Sequence, residues 1–400
     1  MKVFDGFIIG LLCLSLFGLA FFSNSCGEVV EDETTTTTSA TTTTNPDARS
    51  VSGTVNFSTA SIGILGGATI TCTKEGLSTV TTADAATGAY EITGLTAGTY
   101  ILSASKTNWT IPGFSVNLTT TSSTAANFSA APTSWEVHFL AGGQTLAGIG
   151  SMEGHFYLGE NRASPKVIKS SSLSPTTTWS DFSAGTTEAI VELVAYDGIA
   201  IYTSHQSGSL YSTTNESSWS LTPKADVLGT GKYVKNLTFY SAHRSTSILV
   251  VLAIGSDGQL YREIIGSGPT QLEVVSSAGT GLNAAVGWID PESGASVEAV
   301  CGDNGVAKYK MVNGSTWTSV SIPEVTDNLL DFSVGSHAGD IYFMVISANN
   351  IYMRNNAGDI IESVAGIPYS LTSGYSGISA AGEGRRSVVA GEHGLIMIHK

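Results

Sequence analysis

Residues 297–310 read VEAVCGDNGVAKYK: an apolar run, a polar turn at Asn304-Gly305, then a second run alternating apolar and polar side chains. Four more stretches repeat the pattern. They place Ser207-Gly208 in YTSHQSGSLYS (202–212), Asp257-Gly258 in VLAIGSDGQLYR (251–262), Asn349-Asn350 in FMVISANNIYMR (343–354) and His393-Gly394 in SVVAGEHGLIMIHK (387–400). A sixth copy, FYLGENRASPKVIKS (156–170), has a longer turn. Asn-Gly and Asp-Gly between alternating apolar residues are the strongest short-range hairpin signal, because a type I′ turn needs φ > 0 at both central residues. Turns of that type are therefore expected at the five short copies. From Gly208 through Gly258, Gly305 and Asn350 to Gly394 the steps are 50, 47, 45 and 44 residues, a period that reads as β-propeller blades.

The tryptophans give a second count. Trp135, Trp179, Trp219 and Trp317 are separated by 44, 40 and 98 residues, the last being two further periods of 49. The next member would fall beyond Lys400, so the last blade is short of an outer strand, and WEVHFL at 135–140 is expected to supply it. A strand borrowed in this way leaves the ring no unpaired edge. SLSPTTTW (172–179), STTNESSW (212–219) and KMVNGSTW (310–317) resemble the Asp-box, Ser-x-Asp-x-Gly-x-Thr-Trp, of sialidase-like and photosystem II assembly-factor-like propellers. Ser174, Thr214 and Val312 stand where that family has its aspartate.

Ahead of the propeller, residues 50–132 hold short alternating strands, among them VSGTVNF, ATITCTK, GAYEITGL and GTYILSASK, which predict a β-sandwich. The run from Thr82-Ala83-Asp84 through Gly88-Ala89-Tyr90-Glu91-Ile92 to Gly94-Leu95-Thr96-Ala97-Gly98-Thr99-Tyr100 resembles the carboxypeptidase regulatory-like, transthyretin-like sandwich. That resemblance implies a spacer or a site of protein or glycan contact. A relative, the adhesin B-type repeat, carries a Lys–Asn isopeptide bond. Asn127 lies in a suitable strand here, but Val51 to Phe57 has no lysine. Trp109 is either a sugar-stacking platform or a packed core residue.

The chain begins with Lys2 and an apolar run from Gly6 to Phe22, short for a membrane span, which reads as an export signal over 1–25. Ser23-Asn24-Ser25-Cys26 resembles a bacterial lipobox, with Ser23 where the family usually has Leu. The resemblance implies lipid attachment at Cys26; Ser23 and Ser25 equally suit an ordinary signal peptidase. Residues 26–49, acidic and then threonine-rich, have almost nothing apolar to bury and form a disordered tether. Such a chain spans on the order of 25 Å. The expected location is the cell envelope, at the outer membrane. A glycosylated stalk is the alternative.

The resulting expectation is an all-β chain: a small β-sandwich (50–132) followed by a six-bladed β-propeller (133–400) closed by an N-terminal strand. With 45 glycines and only 13% charged residues, the composition fits. A net charge of −15 repels phosphate backbones and anionic lipid and argues against nucleic-acid binding. Cys72 and Cys301 are far apart, and the seven histidines show no HxxxH or HxH spacing, so neither a disulfide framework, a metal site nor a cofactor is expected.

Middle turns and the loops after outer strands share one face of a propeller. That places Glu160, Arg162, His205, Asp257, Asp303, Glu392 and His393 on it, with Tyr233 from the connection 223–236. Such a ring of acids and imidazoles suits a polyhydroxyl ligand, a cation or a protein partner. Sialidase chemistry needs three matched arginines and a Tyr–Glu pair, and Arg162, Arg244, Arg262, Arg354, Arg385 and Arg386 do not recur at matched places. The expected function is a non-catalytic envelope lipoprotein that binds a protein partner, with carbohydrate capture as the alternative and a degenerate glycoside hydrolase third.

Overall fold

The computed structural model describes residues 47–400 except 58–62, 141, 173–177, 197–199, 222–227, 229–230, 242–248, 266–272, 290–295, 312–313, 315, 321, 323–324, 338–339, 356–358 and 379–384. The leader, Cys26 and nearly all of the tether lie outside the described residues, as do Ser174, Arg244 and Val312.

Alternating side chains build the sandwich. Its strands are β1 (Arg49–Phe57), β2 (Thr69–Lys74), β3 (Leu77–Thr82), β4 (Ala89–Leu95), β5 (Thr99–Ser105), β6 (Trp109–Thr110), β7 (Phe114–Asn117) and β8 (Phe128–Pro132). They form two sheets, β4-β1-β8-β6 and β3-β2-β5-β7. Every second residue of β1, β2 and β5 turns inward, so Val51, Val55, Phe57, Ile70, Cys72, Tyr100 and Leu102 make the core. Trp109 joins it edge-on to Phe57 with centroids 5.7 Å apart, so it is a packed residue and not a stacking platform. The Asn127 Oδ1 accepts from the Thr54 backbone N–H (3.0 Å) and hydroxyl (3.1 Å).

Thr133 and Ser134 lead straight into β9 (Trp135–Phe139), and six antiparallel four-stranded sheets follow. The inner strands of blades one to six are Leu146–Met152, Ile190–Tyr196, Val234–Ser241, Leu282–Ile289, Leu329–His337 and Leu371–Ile378. In blade six β9 pairs with Leu395–His399, with Trp135 opposite His399 and Phe139 opposite Leu395, so the first strand of the ring completes its last sheet. Glu362, on the outer strand of blade five, clasps both partners: one oxygen accepts from the Trp135 indole (2.9 Å) and the other lies 3.0 Å from His399 Nε2. Trp179, Trp219 and Trp317 open or immediately precede the outer strands of blades one, two and four. Trp219 packs on Gly185 of blade one, where a Cβ would stand 2.7 Å from the indole, and donates to the Ser183 carbonyl at 2.9 Å. With Thr214 in the aspartate position of the box, Asn215 Oδ1 instead accepts from the N–H groups of Ser217 and Ser218.

The turns differ from expectation in three of five hairpins. Asn304-Gly305 and His393-Gly394 have positive φ at both residues, as type I′ requires. At Ser207-Gly208 and Asp257-Gly258 only the glycine does. There the Gly208 and Gly258 N–H groups close a turn on the His205 and Gly255 carbonyls, a three-residue loop ending in a left-handed glycine. Neither Asn349 nor Asn350 has positive φ, and the Asn349 side chain instead ties the turn to the Ile367 and Tyr369 carbonyls.

Each inner strand carries one register irregularity near its start: 147/149, 190/192, 234/236, 282/284, 329/331 and 371/373. The sandwich and blades five and six share one apolar core, in which Phe57 meets Phe139 (6.2 Å) and Tyr369 (5.9 Å).

Truncating Trp135 removes a buried indole from the closing strand and its bond to Glu362. Trp135→Ala is expected to cost about 3–5 kcal/mol, the range for a buried aromatic, read as a lowered urea midpoint.

Candidate functional site

On the face bearing the middle turns, the polar residues pin each turn to its own surroundings and do not converge on one point. Glu160 is 2% exposed. Its Oε2 accepts from Arg162 Nε (2.7 Å) and the Lys166 N–H (2.8 Å), and its Oε1 from Gln144 (2.8 Å). His205 is wholly buried, with Nδ1 3.0 Å from the Ala189 carbonyl and Nε2 3.1 Å from the Thr203 hydroxyl. Burial lowers its pKa, so the neutral ring is the stable form there. Asp257 forms a triangle with Lys232 (2.7 Å) and the Tyr261 hydroxyl (2.7 Å). Half-buried Tyr233 lies close by, its N–H on Ser256 Oγ at 3.3 Å. Asp303 accepts from Asn283 (3.0 Å). The Glu392 N–H goes to the Ser370 carbonyl (2.9 Å), and His393 lies edge-on to Tyr369 (5.3 Å). The structure thus joins Glu160 with Arg162 and brings Tyr233 beside the Asp257 turn, while His205, Asp303 and the adjacent pair Glu392 and His393 stand on three different blades.

What opens on this face is a cleft of about 860 Å³ between sandwich and propeller. Thr54, Asn56, Ile64 and Lys106 supply one wall; Asn349 and Pro368, from the middle turn of blade five and the loop into blade six, supply the other. That volume lies within the range of small-molecule and peptide recesses. Sequence reasoning missed the cleft, because its walls are more than 240 residues apart and meet only through the shared core.

A second feature sits at the axis. Side chains at or just after the inner-strand irregularities reach the next blade. Glu192 takes the Leu193 N–H (2.9 Å) and Asn236 of blade three (3.1 Å), and Asn236 in turn accepts the Ala285 N–H of blade four (2.9 Å). Lys235 donates to Asn283, which donates to the Leu329 carbonyl (2.8 Å). Asp331 accepts from the Phe332 N–H (2.8 Å), and from the Gly374 N–H (2.8 Å) and Ser373 hydroxyl (2.9 Å) of blade six. Thr372 closes on the Leu146 carbonyl (2.5 Å) of blade one. At the remaining seam Gly148 makes room, since a Cβ there would lie 2.0 Å from the Leu193 nitrogen. Burial raises the pKa of both axial acids: Asp331 to about 6 and Glu192 well above the usual carboxylate range, the Asp331 charge adding to the latter. Lone acids in AIVELVAY and NLLDFSV were the available signal.

No family model matches the sequence, and no curated protein matches it. Among solved structures, "YCF48 bound to D1 peptide" aligns with a TM-score of 0.42 and 12% identity over 66% of this chain and 95% of that one. "YCF48 from Cyanidioschyzon merolae" aligns with a TM-score of 0.41 and 14% identity over 66% of this chain and 98% of that one. Neither likeness carries a function across.

The axial acids give the ring a pH signature. A carboxyl with a folded pKa near 6 and an unfolded one near 4 binds more protons when folded, so its contribution to stability falls as pH rises through that window. Asp331→Asn cannot titrate. Its stability relative to the parent is expected to rise by roughly 2–3 kcal/mol between pH 4.5 and 7.5, as urea unfolding at each pH will show. An unchanged difference would mean that Asp331 does not titrate in this range.

Proposed function

We propose that this chain is a non-catalytic binding protein of the bacterial cell envelope. It is exported by residues 1–25, lipid-anchored at Cys26, and held off the outer membrane by residues 26–49. The face bearing the middle turns holds a protein partner in a scaffold or assembly role, and the sandwich, read as carboxypeptidase regulatory-like, forms part of that contact surface. The cleft carries this reading: two folded bodies share a core and leave a recess of about 860 Å³ on the side where the turns are pinned rigid. Pre-organised surfaces lose less ordering entropy on association. The burial of Trp109 removes the sandwich platform that sugar stacking would need.

Photo-crosslinking residues at Ala86 and Gln206, on the proposed face, are expected to give protein adducts in cell envelopes. Thr214, on the opposite face, is expected to give none. Equal labelling of both faces, or glycan retention without protein adducts, would overturn the reading. The mass of the N-terminal peptide tests the anchor, which an unmodified Cys26 would remove.

A further inference from the structure

Resting on the protein-binding reading above, we propose that the cleft seats an extended peptide segment of the partner, with a carboxylate of that peptide held by Lys106. The chain carries a net charge of −15, yet among the described residues the cleft lining has one cation, Lys106, and no acid. Its ammonium gives one hydrogen bond, to the Gly66 carbonyl at 2.8 Å, and makes no ion pair among the described residues. An ammonium has three N–H donors, so two are left over. The group is not free in solvent: it lies 5.9 Å from the Trp109 ring centroid, and burial lowers its pKa. It stands at the seam, since a Cβ on Gly366 across the cleft would be 3.6 Å away. A partly desolvated cation without a counter-charge favours an anionic ligand, and charge-assisted bonds are the strong ones.

The other polar groups suit a peptide backbone. Asn56, on the sandwich wall, shares the Thr54 hydroxyl proton with Asn127 at its Oδ1 (3.1 Å) and keeps its NH₂. Asn349, on the propeller wall, spends its NH₂ on Ile367 (2.8 Å) and Tyr369 (3.2 Å) and keeps its carbonyl. One donor and one acceptor on facing walls match the N–H and C=O of an extended chain. Ile64, 42% exposed on the rim, and Pro368 offer apolar contact for a side chain. Behind Gly63, the Tyr369 hydroxyl is buried without a hydrogen-bond partner.

The test uses the full chain in detergent and two random pentapeptide libraries. One has free C-termini and includes Asp and Glu; the other is amidated, with Asn and Gln in their place. The wild type is expected to enrich the acidic library. Lys106→Met should weaken the best binder by about tenfold or more, as for loss of a hydrogen bond to a charged group. Lys106→Arg should retain most of the affinity, and Ile64→Glu, on the exposed rim, should weaken it by repulsion; circular dichroism checks that each variant folds. Equal retention of both libraries, no retention of either, or wild-type affinity in both Lys106→Met and Ile64→Glu overturns the proposal. If adducts still form at Ala86 and Gln206 in that event, the protein-binding reading stands and only this assignment falls; with no adducts, both fall.

Discussion

Everything in the second half of the molecule depends on β9 pairing with Leu395–His399. Six wedges around an axis are stable only if each touches two neighbours, and an open ring would leave two bare sheet edges in water. Here the edge strand missing from one end of the ring is supplied by the other. Glu362 adds a polar check on register, because only the pairing of Trp135 with His399 brings an indole N–H and an imidazole to its two oxygens. The sandwich core runs into the same blade, so closure of the ring also fixes the position of the sandwich.

The axis is held differently from the rim. Outer contacts are aromatic, with indoles lying on a neighbour's glycine or backbone, as Trp219 does on Gly185. Inner contacts are polar and sit where each inner strand slips register, a bulge that re-aims a side chain. At five seams a side chain crosses to the next blade; at the sixth a glycine lets two backbones touch. Two of the crossing groups are buried carboxyls with no ion pair among the described residues. Amide and hydroxyl donors satisfy each of them and pull its pKa down, but burial outweighs the donors and the net shift of both is upward.

The architecture was legible because its determinants are local and repeated. Turn dipeptides every 44–50 residues set the blade count, and Trp135 out of phase with the C-terminus located the closing strand. Turn type was less legible: a glycine such as Gly258 shows that a left-handed residue is present but not whether its neighbour shares that conformation. Topology assigns a turn residue to a face but says nothing of burial, and His205 and Glu160 turn inward to satisfy backbone groups. The cleft could not be read at all, because Asn56 and Asn349 share no local pattern and are neighbours only through the packing of Phe57 on Tyr369.

One feature of the sandwich bears on mechanics. β1 and β8 run parallel, with Val55 beside Phe128 and Phe57 beside Ala130, and β8 continues after two residues into the closing strand of the ring. A pull applied at Arg49 and resisted by the propeller therefore loads these two strands in shear, along their length, and all the hydrogen bonds between them share the force at once. Peeling, in which bonds fail one at a time, is excluded by the parallel arrangement. The junction is thus built to carry tension from the chain's N-terminal side into the ring without opening either body.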